Sequence, residues 1–522
     1  MGIYLNPNNM GFYKSVRSKI YVDKTGMIAY TNECINTNEE FICVSRPRRF
    51  GKTIALDMLV AYYSCGCDSK ELFTKYKIAK DDSFYEHLNK YNVIFLNMQQ
   101  FLSEAGQQNM LNYLEQTVVE ELREEYGELL KSNDVKLSVA LRKIYAKTDK
   151  QFVILIDEWD CVMREKQEAD ELQKQYLDFL RNLLKDQDYV ALAYMTGILP
   201  VKKYGTHSAL NMFREFSMIA PMQLEEYVGF TEMEVKELCQ KFGMDFDEIS
   251  QWYDGYSFTE FNHVYNPKAV VEAMLSGHCS NYWTKTETYE ALKIYIDMNY
   301  DGLREDIISL LGKAYIEINT KTFQNDMKTF FTKDDVLTLL IHLGYLAYLE
   351  ETHEVFIPNK EIIEEFESAM SVSGWNDVIE VLKSSDKLLK DTLLCMSERV
   401  AEALDKAHTE VSSVLTYNDE NSMSCAISLA YYSARKYYRM IRELPTGREF
   451  ADIVFLPLKT VDKPAMVVEL KYDKDAKAAI RQIKEKNYTQ AFEDYSGEIL
   501  LVGINYDKGT KKHSCVIERY VK

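Results

Sequence analysis

The sequence predicts an α/β protein with two separate α/β cores, and three observations carry that expectation. Short apolar runs alternate with helical periodicity through the first 225 residues, the pattern turns mostly helical over 226–404, and strand-like runs return after 405. At 522 residues, 46% hydrophobic and 27% charged, the chain has globular composition and exceeds what one core usually serves.

Taken in order, the runs Phe41–Val44, Val93–Leu96, Phe152–Ile156, Val190–Tyr194 and Phe216–Ala220 read as buried strands. Helical patterns at 53–65, 106–131 and 165–185 fall between them, which implies a parallel sheet with helices on both faces over 1–225. Segments 231–242, 267–276, 303–313, 333–342 and 376–404 then form a mostly helical, lid-like middle region over 226–404. In 405–522 the order is helix (421–440), strands (451–457 and 465–472), helix (474–493) and strand (498–504), a second α/β core.

The net charge of -19 argues against a general basic coat for nucleic acid. It is uneven, because Lys and Arg nearly balance Asp and Glu after residue 400. No long apolar run and no signal-peptide pattern occur, so the expected location is cytoplasmic, with no membrane partner. Ten cysteines without a CxxC pair suit a reducing compartment and no zinc site, since Cys65 and Cys67 make only a CxC. Gly2 behind Met1 does not signal myristoylation, because Asn6 stands where Ser or Thr is needed.

The first strand runs into Ser45-Arg46-Pro47-Arg48-Arg49-Phe50-Gly51-Lys52-Thr53 and then a helix. A phosphate-binding loop needs converging backbone amides at a helix N-terminus, a Lys for the β- and γ-phosphates and a hydroxyl for Mg²⁺, which Gly51, Lys52 and Thr53 supply. The general pattern fails at its first glycine, replaced by Arg46, and a helix cap is the alternative reading of a lone GKT. Further along, the apolar strand 152–156 ends in Asp157-Glu158. Asp157 is then the candidate Mg²⁺ ligand and Glu158 the residue that orients and deprotonates the attacking water, with ATP as cofactor. Thr196, ending the next strand, sits at a sensor-like position or simply caps a turn.

In the second core, Glu469 and Lys471 are two apart on one strand and share a face, while Asp452 on the preceding strand can lie beside them. Two carboxylates at a strand end suit Mg²⁺ or Mn²⁺, and the Lys can steer or activate water against a phosphodiester. Alone, an ExK pair is more often a surface ion pair. Glu420 upstream, as a further metal ligand, and Gln482 with Tyr488 downstream strengthen the metal-site reading.

These residues resemble the predicted AAA-ATPase-like proteins that carry a C-terminal PD-(D/E)XK nuclease domain. The resemblance covers nearly the whole chain and rests on YVDKT (21–25), RPRRFGKT (46–53), LIDEWD (155–160), TGIL (196–199), WYDGY (252–256), Tyr265-Asn266-Pro267, and Gly447-Arg448 followed by Asp452 and the ExK. It implies an AAA/ASCE-like P-loop NTPase domain in which the first loop glycine is commonly replaced, so that Arg46, Arg48 and Arg49 become candidates for neutralising phosphate charge. It also implies ATP-gated cleavage of DNA or RNA, with a defence or mobile-element role; the competing class is a regulatory ATP switch that binds nucleic acid or a protein without cutting. WYDGY reads as a packed aromatic turn, and YVDKT as an adenine-pocket flank or a helix cap at Asp23. Arg181 and Arg214 are both candidate arginine fingers, and a finger in trans requires a homo-oligomer.

Overall fold

The structure, a computed structural model, describes residues 2–131, 135–166, 168–201, 210–227, 229–283, 289–298, 300, 302–325, 327–373, 375–411, 420–445, 450–458, 461–485 and 497–520. The chain divides into two compact units, Met1–Thr286 with Glu317–Ile362, and Glu287–Ile316 with Ile363–Lys522. The helical stretch expected as one region at 226–404 is shared between them. Among the described residues no helix is long and apolar enough to cross a membrane.

The first unit is built on β1 (Phe41–Ser45), β2 (Asn92–Asn97), β3 (Phe152–Asp157), β4 (Val190–Gly197) and β5 (Arg214–Phe216). All are parallel, in the order β2-β3-β4-β1-β5. Every residue of β3 and β4 is buried, as befits apolar strands covered on both faces. From β1 the chain crosses to β2 at the far edge, steps back through β3 to β4, then passes β1 to reach β5. That reversal leaves the carboxyl ends of β1, β4 and β3 side by side, the place where open α/β sheets bind ligands. The strand expected at Phe216–Ala220 is instead β5, ending at Phe216. Ser217 Oγ takes the amides of Ile219 and Ala220 at 3.3 Å each and turns the chain there.

The same unit holds a smaller helical cluster: the hairpin of β6 (Phe230–Thr231) and β7 (Val264–Tyr265) with helices Glu232–Phe242, Phe246–Tyr253 and Pro267–Ser276. Its helices start on strong caps. Thr231 and Glu234 form a capping box, and Asn266 accepts from the amides of Lys268 and Ala269 ahead of Pro267 in the first turn, which accounts for the Tyr-Asn-Pro motif. The chain passes between units at β8 (Ile316–Glu317), and the hairpin β9 (Ala347–Leu349) with β10 (Glu354–Phe356) belongs to the first unit.

The second unit is a five-stranded sheet ordered β11 (Tyr438–Pro445), β12 (Phe450–Pro457), β13 (Ala465–Tyr472), β14 (Ile499–Asp507) and β15 (Lys512–Tyr520). Only β13 and β14 are parallel, and helix Ala476–Glu485 lies between them in sequence. The helix expected over 421–440 stops at Ala430. Beyond it Tyr438 and Met440 are buried while Arg439 is exposed, a two-residue alternation that makes β11. Residue 405, the expected start of this core, lies inside helix Ser397–Val411. Asp405 Oδ1 accepts from His513 N at 2.7 Å and meets His513 Nδ1 at 2.9 Å, joining that helix to β15.

Candidate functional site

The first site forms at the carboxyl ends of β1, β3 and β4. Past β1 the backbone turns left-handed at Arg49 (φ 68) and Gly51 (φ 79), and helix Lys52–Tyr63 begins at once. A Cβ on Gly51 would point into open space, so glycine is required there by backbone conformation and leaves the loop amides uncovered. Such a loop on a helix N-terminus favours an anion. Lys52 is 8% exposed and its Nζ donates to the carbonyls of Arg46 and Pro47 at 2.9 and 2.8 Å. Burial pulls its pKa below the ordinary lysine range, while Glu158, Asp160 and Asp157 work to restore the charge.

Thr53 is exposed, and its Oγ1 donates to Asp157 Oδ2 at 3.1 Å. Burial pushes Asp157 up to about 6, with the neighbouring Glu158 adding to the shift. A hydroxyl and a carboxylate at this spacing are hard oxygen donors that fit Mg²⁺. Glu158 leaves the strand in the left-handed region (φ 53), an uncommon backbone for a non-glycine residue. Thr196 is buried between these strands, its backbone paired with Val44 of β1, and its Oγ1 has no hydrogen-bond partner among the described residues.

The two motifs LIDEWD and TGIL interlock. Trp159 N donates to Thr196 O at 3.1 Å, and Asp160 Oδ2 accepts from Ile198 N at 3.0 Å and Leu199 N at 2.8 Å. Gly197 is needed because a Cβ there would lie 2.7 Å from Asp160 Oδ1 and 2.8 Å from the Trp159 ring. Arg164, which sequence reasoning missed, pairs with Glu158 through Nη2 and with Asp160 through Nε at 3.0 Å. Burial opposes its charge, but Asp160 and Glu158 hold its pKa above the ordinary arginine range.

The arginines of the loop are spent differently. Arg46 is fully buried, its Nη1 donating to the carbonyls of Ser45 and Phe216 at 3.2 and 3.1 Å and its guanidinium 5.6 Å over the Phe258 ring. Burial lowers its pKa to about 10. Arg49 donates to Tyr282 O at 3.1 Å, while Arg48 is exposed. WYDGY completes the same contact: Tyr256 meets Phe50 edge-on at 5.2 Å and donates to Gly344 O at 2.7 Å. Gly344 (φ 87) passes so close to Pro47 that a Cβ would lie 2.8 Å from it. Phe258, Gly344, Tyr282 and Tyr256 therefore grip the loop at Arg46, Pro47, Arg49 and Phe50 in turn. YVDKT is a tether as well, with Asp23 closing a turn on Thr25 and Lys24 paired to Glu234 at 2.7 Å. Arg214 of β5 pairs with Glu39 at 3.3 Å, and Arg181 lies exposed on helix Asp170–Leu184.

The second site lies on β12 and β13. Ile453 pairs with Val468, so one step further Asp452 comes opposite Glu469, and Asp452 Oδ2 accepts from Leu470 N at 2.6 Å. Glu469 is buried and Lys471 nearly so, joined by an Nζ–Oε1 contact of 3.0 Å. Both continue the face of Ala465 and Val467, which packs against Ile480 and Ile483 of helix Ala476–Glu485. Two residues unmarked by the sequence complete the floor. Gly503 pairs with Glu469, and a Cβ on it would run into the Ala476 carbonyl; Asn505 pairs with Lys471 and its Oδ1 accepts from Lys474 N at 2.9 Å. Gln482 is half-buried on that helix. Glu420 opens helix Glu420–Ala430, but its side chain lies outside the described residues, as do Gly447, Arg448 and Tyr488 altogether. The paired carboxylates of Asp452 and Glu469 have the donor chemistry for Mg²⁺ or Mn²⁺. Among the described residues no group of three or more His, Cys, Asp and Glu comes together as a metal cluster.

A glycine-hinged loop at the head of a five-stranded parallel sheet, in one chain with a D…ExK strand pair, defines the class: a P-loop α/β protein joined to a nuclease-type α/β core. The family is found domain by domain. Residues 12–206 match the family described as predicted AAA-ATPase and residues 419–515 that described as the PD-(D/E)XK nuclease superfamily, so the chain carries a domain of each. It is 26% identical over 274 residues to an uncharacterized protein in the vnfD 5' region of Azotobacter chroococcum mcd 1. That match covers 51% of this chain and 51% of that protein, so the chain spans about half the length of the curated relative. Among solved structures, PCH-2 of C. elegans is 11% identical with a TM-score of 0.19, covering 45% of this chain and 50% of that one. The Aeropyrum pernix ORC2 protein is 12% identical with a TM-score of 0.24, covering 67% and 93%.

Proposed function

We propose that this chain binds and hydrolyses ATP in its first unit, and that the nucleotide state gates a metal-dependent nuclease in the second, acting on DNA or RNA. The observation that carries the reading is Thr53 Oγ1 at 3.1 Å from Asp157 Oδ2, beneath a loop whose lysine already donates to oxygen. Lys52 and the loop amides would bind the β- and γ-phosphates, and Thr53 and Asp157 would hold Mg²⁺, which neutralises phosphate charge when bound. Glu158 takes a proton from water as the water oxygen attacks the γ-phosphorus; the bond from that phosphorus to the ADP oxygen breaks, leaving ADP and inorganic phosphate. The buried Thr196 hydroxyl is the remaining donor for a γ-phosphate oxygen, and exposed Arg48 is the loop arginine best placed to face phosphate. In the second unit Asp452 and Glu469, with Glu420, would hold Mg²⁺ or Mn²⁺, Lys471 would steer water or stabilise the charged phosphorane, and Gln482 would assist. A cytoplasmic protein in defence or mobile-element biology, acting on nucleic acid and able to self-associate, suits this chemistry.

A second reading, an ATP switch that recognises nucleic acid or a protein without cutting, draws on the Lys471–Glu469 ion pair, which occupies a carboxylate that cleavage would need for metal. Phosphate release from ATP tests the first half of the proposal. Lys52→Ala is expected to lose ATP binding, and Glu158→Gln to bind ATP but turn over slowly. Unchanged turnover in both variants would contradict it.

A further inference from the structure

We propose that Arg164 is a positioning residue for Glu158, immobilised by Asp160 and, through Asp160, by the backbone that follows β4. The inference rests on the ATPase reading and names a part of that site which its motifs do not supply. Arg164 sits in the short helix Cys161–Glu165, and its side chain folds back to meet Glu158 and Asp160 at once. The two ends of this bridge differ. Asp160 is fully buried, and its Oδ2 takes two backbone amides, from Ile198 and Leu199, besides the Arg164 Nε. The Arg164 side chain is 6% exposed, whereas that of Glu158 is 25% exposed. The arginine is thus the more enclosed member and the glutamate the more exposed one.

A glutamate that must set a water in line with the γ-phosphorus gains from such a partner, because its own side chain otherwise samples several rotamers. A misplacement of about 1 Å at a reacting centre costs on the order of 10²-fold in rate. The planar guanidinium fork reaches two acids in one fixed geometry, which the single ammonium of a lysine does not. Lys52 lies within electrostatic reach of Glu158, Asp160 and Arg164, so the bridge stands beside the loop. Asp160 also ties it to Ile198 and Leu199, directly beyond Gly197, so the exit from β4 and the orientation of Glu158 are set by one carboxylate.

The test is steady-state phosphate release from ATP by the full chain, carrying Arg164→Met, Arg164→Lys, Asp160→Asn, Glu158→Gln or Glu158→Gln with Arg164→Met. Arg164→Met is expected to lower kcat by about 10- to 100-fold with KM for ATP changed less than about threefold, because positioning acts on the chemical step. Arg164→Lys should recover part of kcat, and Asp160→Asn, close in size, should lower it less than Arg164→Met. In the double variant the two losses should not multiply, since Arg164 acts only through Glu158. Turnover at the parent level in Arg164→Met, or losses that multiply in the double variant, overturns the proposal. A joint collapse of kcat, ATP binding and thermal melting in both Arg164→Met and Asp160→Asn assigns the bridge a structural role only and also overturns it. A parent that releases no phosphate sinks the ATPase reading and this inference together, whereas an active parent with an indifferent Arg164 sinks this inference alone.

Discussion

The two sites hold their charged residues in opposite ways. At the first, charged residues that follow β1 and β3 are locked by backbone hydrogen bonds: Asp160 to the amides of Ile198 and Leu199, Lys52 to the carbonyls of Arg46 and Pro47, Arg49 to Tyr282 O. At the second, Asp452, Glu469 and Lys471 come from two adjoining strands, with Asp452 on the amide of Leu470 and Lys471 on Glu469. The first site is a joint of many segments, whereas Asp452, Glu469 and Lys471 of the second come from one strand pair. Damage far away in sequence should therefore disable the first and spare the second.

The largest expected effect tests the second site. Asp452→Ala and Glu469→Ala should each remove divalent-metal-dependent cleavage, because a small hard-cation site that loses one carboxylate has too few ligands to keep the ion. Lys471→Ala should leave metal binding by calorimetry largely intact and lower cleavage by about 10²-fold, the size of one lost electrostatic contact to a transition state. Cleavage undiminished in Asp452→Ala would break the contrast at its local end.

Next in size is the joint itself. Gly344→Ala places a Cβ 2.8 Å from Pro47 and forces alanine to φ 87, a conformation costing roughly 1–2 kcal/mol before any clash. It should weaken ATP binding and lower the melting temperature of the first unit, while Mn²⁺ binding at Asp452 and Glu469 is unchanged. Equal losses at both sites would mean they do not differ in the way described.

The smallest effect is a pH dependence of the second unit. Burial, with His513 adding repulsion, lowers the His408 pKa to about 4, and its ring packs against Tyr506 and His513 beside Asp405 and Lys511. The unfolded histidine titrates near 6.5, so below that pH the unfolded chain binds the extra proton. Stability from this group is complete above about 6.5 and is lost as pH falls toward 4. Thermal melts between pH 7 and 4.5 should show the second unit sagging, and His408→Phe should flatten the slope.

What was legible in the sequence follows the same divide. GKT, the Asp157-Glu158 strand end and the ExK spacing could be read because each encodes its chemistry within a few adjacent residues. The parallel sheet was legible because β3 and β4 are uninterrupted apolar runs. Arg164 was not, since an arginine on a short helix looks like solvated charge until its side chain folds back on Glu158 and Asp160. Arg46 reads as a phosphate ligand, yet its guanidinium lies in the core over Phe258, more than 200 residues away along the chain. Gly503 and Asn505 carry no sequence signal either, because they acquire a role only through pairing with Glu469 and Lys471. β11 was hidden in a segment with helical composition, and β15 is a half-exposed strand at the edge of its sheet.

The most direct test of the whole account is the rate at which the full chain cleaves labelled DNA and RNA in Mg²⁺, measured side by side with ATP, a non-hydrolysable ATP analogue, ADP or no nucleotide. The account predicts that the rate depends on which nucleotide is present, that Glu158→Gln with ATP reproduces the analogue, and that Asp452→Ala abolishes cleavage in every state. A cleavage rate indifferent to nucleotide would contradict the gating, and ATP turnover with no cleavage of any substrate in Mg²⁺ or Mn²⁺ would put the non-cutting switch in its place.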